Sequence, residues 1–271
     1  MLQLDNDTLR KLQMIELEML IEVDRICKKY GIKYNIIGGT LLGAVRHGGF
    51  IPWDDDADLA MLRPEYEKFR EACKKELDHD RFYFQDYRNT PGYRWGYGKL
   101  RRKGTVFLRE YQEHMPYEQG VFIDIFPLDG VPDSFILRRL KDIECFCIRK
   151  ILWSAVGKYA DKSMFCRRWY SLLSNIPETM IFSYLNRLIV RSNKNNTQRV
   201  RILLMPSPNK EYCYYRKWFE TGADMNFEGY PLQGIVDYDG FLTFEFGDYR
   251  QLPPIEKRKV HPVSAIQLIE V

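Results

Sequence analysis

Apolar residues recur at helical spacing near the start of the chain, at Leu9, Leu12, Ile15, Met19, Leu20, Val23, Ile26, Cys27 and Tyr30. The pattern predicts an amphipathic helix that packs by one face. Asp7 or Asn6 is placed to cap its start, and Gly31 to end it. Residues 33–37 then read as a short strand, the glycines after them as a turn, and residues 40–46 as a short helix opening at that turn. An acidic segment framed by apolar residues follows, then a helix started by Pro64 with Tyr66, Phe69, Cys73 and Leu77 on one face. Strand-like segments stand at 81–85, 95–100, 105–108 and 121–126. From about residue 134 to 217 the pattern turns helical and basic. The last stretch is rich in aromatics and glycine and ends strand-like after His261. This alternation predicts an α/β (α+β) fold, a mixed sheet flanked by helices and interrupted by a basic helical insert.

With 271 residues and 45% hydrophobic content, the chain is long enough to bury a sizeable core. A formal charge of +4 is too modest to argue for nucleic acid as a partner. No extended basic and aromatic surface with a recognisable module points there either. Cysteines at 27, 73, 145, 147, 166 and 213 form no CxxC pair, and no histidine stands at a zinc-like spacing from them. Reduced thiols in a cytoplasmic protein are expected, and zinc is not. The N-terminus lacks the basic start and apolar core of a signal peptide. The longest apolar stretches, 145–156 and 176–190, carry Arg149, Lys150, Glu178 and Arg187, so no spanning helix is expected.

The acidic segment holds the chemistry. Asp54, Asp55, Asp56 and Asp58 fall within five positions, between Ile51-Pro52-Trp53 and Leu59-Ala60-Met61-Leu62. Read as a strand, it places Asp54, Asp56 and Asp58 on one face and Asp55 on the other. Two like charges ~4 Å apart repel by roughly 4 kcal/mol at an effective dielectric near 20, so such a cluster calls for a cation or for protons. Oxygen donors suit Mg²⁺ (or Mn²⁺), an ion that binds through one or two carboxylates plus a substrate phosphate. A solvated turn is the competing reading, and the apolar frame argues against it. Asp124, alone among Ile and Phe in 122–126, is a further carboxylate candidate, with an ion pair to an arginine in the core as its structural alternative. Asp129 reads as a turn residue. The helix that opens at Gly38-Gly39 offers unpaired N–H groups to a phosphate.

The run from Gly38-Gly39-Thr40-Leu41-Leu42-Gly43 through Arg46-His47-Gly48-Gly49-Phe50 to Trp53-Asp54-Asp55-Asp56-Ala57-Asp58 resembles the signature of the LicD phosphocholine transferases, which are similar to the fukutin-type transferases. The resemblance continues through Gly120–Gly130 and through Phe246-Gly247-Asp248-Tyr249 with Pro253-Pro254. It implies one LicD-type domain over 1–271. Its parts are an N-terminal helix to 31, a nucleotidyltransferase-like core over 32–132, a basic helical subdomain over 133–217 and a C-terminal segment, 218–271, packed on the core.

The resemblance further implies that Gly38, Gly39 and Thr40 form the glycine turn and that Asp56 and Asp58, with Asp54 beside them, bind the metal. Asp124 matches the later carboxylate, as metal ligand or as acceptor of a sugar hydroxyl proton. Arg46 and His47 read either as facing a phosphate or as a solvated helix end, Lys99 reads as neutralising donor phosphates, and Trp53, Trp95 and Tyr97 read first as core packing, with stacking on a base or cupping a quaternary ammonium as the alternative. Ala57 stands where relatives commonly carry a larger aliphatic residue. The implied reaction moves a phospho-alcohol, often phosphocholine from CDP-choline, from a CDP-alcohol donor to a glycan of the cell surface, releasing CMP. Choline itself is not written in these motifs. A nucleotidyltransferase releasing pyrophosphate and a non-catalytic glycan-binding scaffold are the alternatives. The basic middle reads either as a solvated basic face or as a segment that rests on an anionic membrane, at the inner face of the cell membrane.

Overall fold

The computed structural model describes residues 4–206, 209–258 and 260–270, so Met1–Gln3 of the N-terminal stretch lie outside the described residues. Helix α1 (Asn6–Tyr30) buries Leu12, Ile15, Met19, Val23 and Ile26 along one face. Each such side chain contributes about 1.5–3 kcal/mol on burial, so packing rather than propensity holds the helix. The cap is Asp5, one residue before the two expected, and its carboxylate accepts from the Thr8 N–H at 2.7 Å. Gly31 closes the helix in the left-handed region at φ 62°.

The strand before the glycine turn is only β1 (Asn35–Ile36), and it leads directly into α2 (Gly38–His47). Strand β2 (Asp58–Leu62) runs into α3 (Arg63–Glu76), with Pro64 in its first turn. Strands β3 (Phe82–Gln85), β4 (Gly98–Arg102) and β5 (Val106–Arg109) follow, and β6 (Phe122–Val131) is buried along all ten residues. Three helices come next, α4 (Phe135–Ala160), α5 (Met164–Leu173) and α6 (Glu178–Ser192). Short strands β7 (Arg199–Arg201) and β8 (Tyr214–Tyr215), the hairpin β9 (Gly222–Phe227) and β10 (Tyr230–Ile235), helix α7 (Tyr238–Phe246) and strand β11 (Val263–Gln267) complete the chain.

The main sheet has the order β1-β2-β6-β4-β3, with β7 added to β6 and β8 to β7. The β2–β6 pair is parallel and its other pairs are antiparallel. The fold is therefore of the α/β class, as the alternation of elements predicts. One apolar core joins α1, α3 and the sheet. A second, from Cys145, Ile148 and Leu152 to Ile181, Leu185 and Leu188, holds α4 and α6 together.

Three expectations are corrected. The acidic segment is not a strand over its length, because 54–57 are irregular and β2 begins only at Asp58. Mutual repulsion of the carboxylates and the turn at Pro52-Trp53 oppose regular pairing there. The basic middle is not helical throughout, since after α6 the chain returns to the sheet as β7 and β8. Asp129 is not a turn residue. It sits fully buried on β6, opposite Arg201, and accepts from Arg63 Nε at 2.8 Å, Arg63 Nη2 at 2.6 Å and Asn193 Nδ2 at 2.6 Å. A bidentate, fully buried pair of this kind becomes costly once one partner is removed. Asp129→Ala is expected to lower stability by about 3–5 kcal/mol in urea unfolding, and a loss under about 1 kcal/mol would show that Arg63 finds another partner.

Candidate active site

Sheet register builds the site. On β6 Asp124 pairs with Asp58 of β2 on one side and with Lys99 of β4 on the other. Side chains of one register row share a face, so Asp58, Asp124 and Lys99 stand side by side. The Lys99 ammonium donates to Asp124 Oδ1 and lies 3.4 Å from the centroid of the Phe122 ring. Burial pulls the Lys99 amine down to about 7, and the neighbouring Asp124 only partly offsets this.

The glycine turn is shaped by the acids beside it. A Cβ on Gly39 would come within 2.4 Å of Asp54 Oδ2, and one on Gly38, at φ 55°, within 3.5 Å of Asp58 Oδ2. Only glycine lets both carboxylates rest against the first turn of α2, where unpaired N–H groups and the helix dipole favour negative charge. Thr40 locks the arrangement by accepting the Asp58 N–H on its hydroxyl at 2.8 Å. Asp54, Asp58 and the turn Gly38-Gly39-Thr40 thus lie together.

Electrostatically the cluster is overloaded. Burial, then Asp56 and Asp55, push the Asp54 carboxyl up to about 7. Asp56 is raised by burial against the opposing pull of His261, and Asp58 is raised well above its ordinary value by burial and then by Asp56 and Asp124. Glu16 stands behind them on α1, raised by burial and then by Asp56, Asp55, Asp54 and Asp58, and its Oε2 is buried without a partner. Oxygen donors with an orphaned buried acceptor behind them have the chemistry a hard divalent cation takes, but among the described residues no three of the expected ligands Asp54, Asp56, Asp58 and Asp124 bring their oxygens within 4.8 Å of one another. Imidazole also enters. Among the described residues, the trio whose ligand atoms all lie within 4.8 Å of one another is Asp55, Asp56 and His261.

Asp55 does not turn to the face opposite Asp56, as strand alternation would place it, because both carboxylates approach His261, at 3.0 and 3.5 Å from its Nδ1. The Asp55 carboxylate also accepts the His261 backbone N–H, at 2.8 Å. This contact ties the chain just before β11 to the acidic loop. Arg46 and His47 lie apart from the Asp124 row, on the side of the C-terminal segment. Arg46 donates to the Tyr249 carbonyl at 2.9 Å, and His47 meets Trp53 edge-on at 6.3 Å. Arg46, with Gly39, Trp53, Asp54 and Pro253, lines a groove of about 460 Å³.

A second cleft, of about 390 Å³, opens beside Asp124 and Lys99. Trp95 and Trp153 line it with ring centroids 5.7 Å apart, and Arg109 and Arg149 each bring a buried nitrogen that has no partner, Nε and Nη1 respectively. Sequence reasoning named Trp95 but missed Glu16, Arg109, Arg149, Trp153 and His261. Glu16 left a signal, since it falls one turn from both Leu12 and Leu20 on the buried face of α1. His261 left none, because it stands 206 positions from its partner Asp55 and only folding brings them together.

A strand, glycine turn and helix thus bring paired carboxylates onto the inner strands of a mixed sheet. Residues 31–143 match the family described as LicD/FKTN/FKRP, nucleotidyltransferase domain. The chain is similar to LicD proteins beyond that segment as well. It is 28% identical to the lipopolysaccharide cholinephosphotransferase LicD of Haemophilus influenzae, over 97% of this chain and 98% of that one. A segment of 31 residues, 11% of this chain and 6% of the relative, is 58% identical to the human ribitol 5-phosphate transferase FKRP. An uncharacterized protein of Rickettsia prowazekii is 25% identical over 52% of this chain and 48% of its own length.

The raised carboxyls set a pH dependence. The folded protein keeps protons that the unfolded chain gives up, so without metal its stability falls as pH rises from the ordinary aspartate value of 3.8 towards the Asp54 value of about 7. A cation bound only by the folded state, at a hundred times its Kd, restores about 2.7 kcal/mol. Thermal melts at about pH 5 and pH 8 are expected to show the lower melting temperature at the higher pH, with Mg²⁺ raising it. Equal melts that Mg²⁺ does not move would contradict a cluster of buried, protonated acids built for a cation.

Proposed function

We propose that this chain transfers a phospho-alcohol to a hydroxyl of a glycan, with phosphocholine from CDP-choline as the leading donor reading. The observation that carries it is the register row Asp58–Asp124–Lys99 beneath the N-terminus of α2. The names of the relatives support the class of group moved. One is a cholinephosphotransferase and another a ribitol 5-phosphate transferase, and the two share a phosphate esterified to a small alcohol.

Transfer of this group asks mainly for charge neutralisation and in-line placement. Asp56 and Asp58, with Asp54 beside them, would hold a Mg²⁺ or Mn²⁺ ion, which when bound supplies positive charge to the donor diphosphate. The free N–H groups of the first turn of α2 are suited to a phosphate oxygen. Lys99, already beside Asp124, is suited to meet the transferred group. The acceptor hydroxyl oxygen forms a bond to the phosphorus bearing the alcohol, the bond from that phosphorus to the CMP oxygen breaks, and the hydroxyl proton passes to the Asp124 carboxylate. Lys99 engages Asp124 through Oδ1 and so holds the orientation of the carboxylate that receives this proton. In the cleft beside this row, the unpartnered nitrogens of Arg109 and Arg149 suit anionic groups, and Trp95 with Trp153 suits a sugar ring or a quaternary ammonium.

Incubation with Mg²⁺, a panel of CDP-alcohols or CTP, and a cell-surface glycan extract tests the reading. Glycan-dependent release of CMP is expected, reduced about 100-fold or more in Asp58→Asn and in Asp124→Asn while both variants melt as cooperatively as the parent. Release of pyrophosphate from CTP would instead favour nucleotidyl transfer. Silence with every donor from a folded, metal-binding protein would favour a non-catalytic scaffold.

A further inference from the structure

Helices α4 and α5 turn apolar faces away from the protein. On α4, Ile136, Leu140, Ile143 and Cys147 follow one another at helical spacing, opposite the buried Cys145 and Ile148. Ile136 is 71% exposed and Leu140 58%. The same stripe continues through Lys150, Ser154 and Gly157, and there α5 covers it. The Tyr170 ring rests against Gly157, where a Cβ would come within 2.7 Å, and the Tyr170 hydroxyl accepts from Lys150 Nζ at 3.1 Å. Helix α5 therefore runs back along the outward side of α4 and presents its own outer face in turn. Tyr170 is the buried residue of α5, while Phe165, Trp169 and Leu172 lie on the opposite face, Phe165 80% exposed. Helix α5 is thus amphipathic with its apolar face outward and α4 is apolar on both sides, and contiguous exposed apolar surface of this kind marks an interaction site.

Charge identifies the partner. Between residues 133 and 194 twelve basic side chains stand against five acids. Three of those acids are already engaged, Asp142 by Arg201, Glu144 by Lys141 and Arg191, and Glu178 by Arg94. Arg139 and Arg168, interleaved with the exposed apolar residues, and Lys162 between the helices form no ion pair with any described residue. Apolar side chains among unpaired cations, on stripes that carry no carboxylate, complement a surface that is apolar beneath and anionic above. A second copy of the chain seated there would set cation against cation, an arrangement that costs rather than stabilises.

We propose that the outward faces of α4 and α5 seat the protein on an anionic lipid bilayer. The apolar side chains enter the headgroup boundary, and Arg139, Lys162 and Arg168 meet lipid phosphates. No helix among the described residues is long and apolar enough to cross a membrane, so the contact lies along the surface. The inward side of α4 lines the cleft beside Asp124 through Arg149 and Trp153, so one helix would join the lipid surface to the mouth of that cleft.

Flotation of the full chain with vesicles tests this, using phosphatidylcholine alone and phosphatidylcholine mixed with phosphatidylglycerol. Binding is expected only to the anionic vesicles and should weaken as salt rises. R139Q/R168Q should weaken it about thirtyfold, because each of the two cations adds a similar increment of attraction to the anionic surface. F165S/W169S/L172S should abolish it with the melting temperature unchanged, because these side chains are already exposed. Absence of flotation at low salt, or equal flotation of parent and variants, overturns the proposal. So does a concentration-dependent dimer that the triple variant dissolves, which would make a second copy the occupant. None of these outcomes depends on the transfer reaction.

Discussion

The crowding of carboxylates near the starts of β2 and β6 constrains the rest of this structure. Two carboxylates ~4 Å apart repel by roughly 4 kcal/mol at an effective dielectric near 20, and burial adds to that cost. The fold concentrates the charge instead of relieving it. Three aspartates of one loop, Asp58 at the start of β2, Asp124 on β6 and Glu16 on α1 all bear on one region, with Lys99 and His261 in direct contact on the cationic side. Each neighbouring feature makes sense as a response. Gly38 and Gly39 open room for the carboxylates, Thr40 fixes the Asp58 amide, and the dipole of α2 points its positive end at them.

Strand β6 shows the same chemistry used in two ways. Asp124 and Asp129 are five residues apart, an odd spacing that sends them to opposite faces of the sheet. Asp129 meets a bidentate Arg63 and the Asn193 amide, so its oxygens are satisfied and it serves to bind α3 and α6 to the sheet. Asp124 meets a lysine whose own charge is disfavoured by burial, a compact donor that can exchange partners more readily than an arginine fork. The first pair is built to stay closed, and the second is suited to chemistry.

Much of the fold was legible because it rests on local patterns. The periodicity from Leu9 to Tyr30 gave α1 and its end at Gly31, Pro64 marked the first turn of α3, and the all-apolar setting of Asp124 marked a buried strand. The acidic loop was harder. Alternation over 54–58 looks like a strand, yet regular pairing starts only at Asp58, and the aspartates are oriented by the glycine turn and by His261 instead. The ion-pair alternative weighed for Asp124 holds in a different form, with lysine in place of arginine, while Asp129, read as a turn residue, has the arginine. No local pattern could have shown that. Arg149 and Trp153 were hidden for another reason, since the insert that carries them reads as a basic amphipathic helix and only its docking shows which side faces Asp124.

Crowded carboxylates of this kind make physical sense if they hold a cation between β2 and the acidic loop. Crystals grown with Mn²⁺ and measured at its absorption edge test this most directly, because the anomalous signal locates the ion independently of any assay. A peak bound by both Asp56 and Asp58 is expected. A peak confined to Asp55, Asp56 and His261, or no peak from a crystal of the folded protein saturated with Mn²⁺, would contradict it.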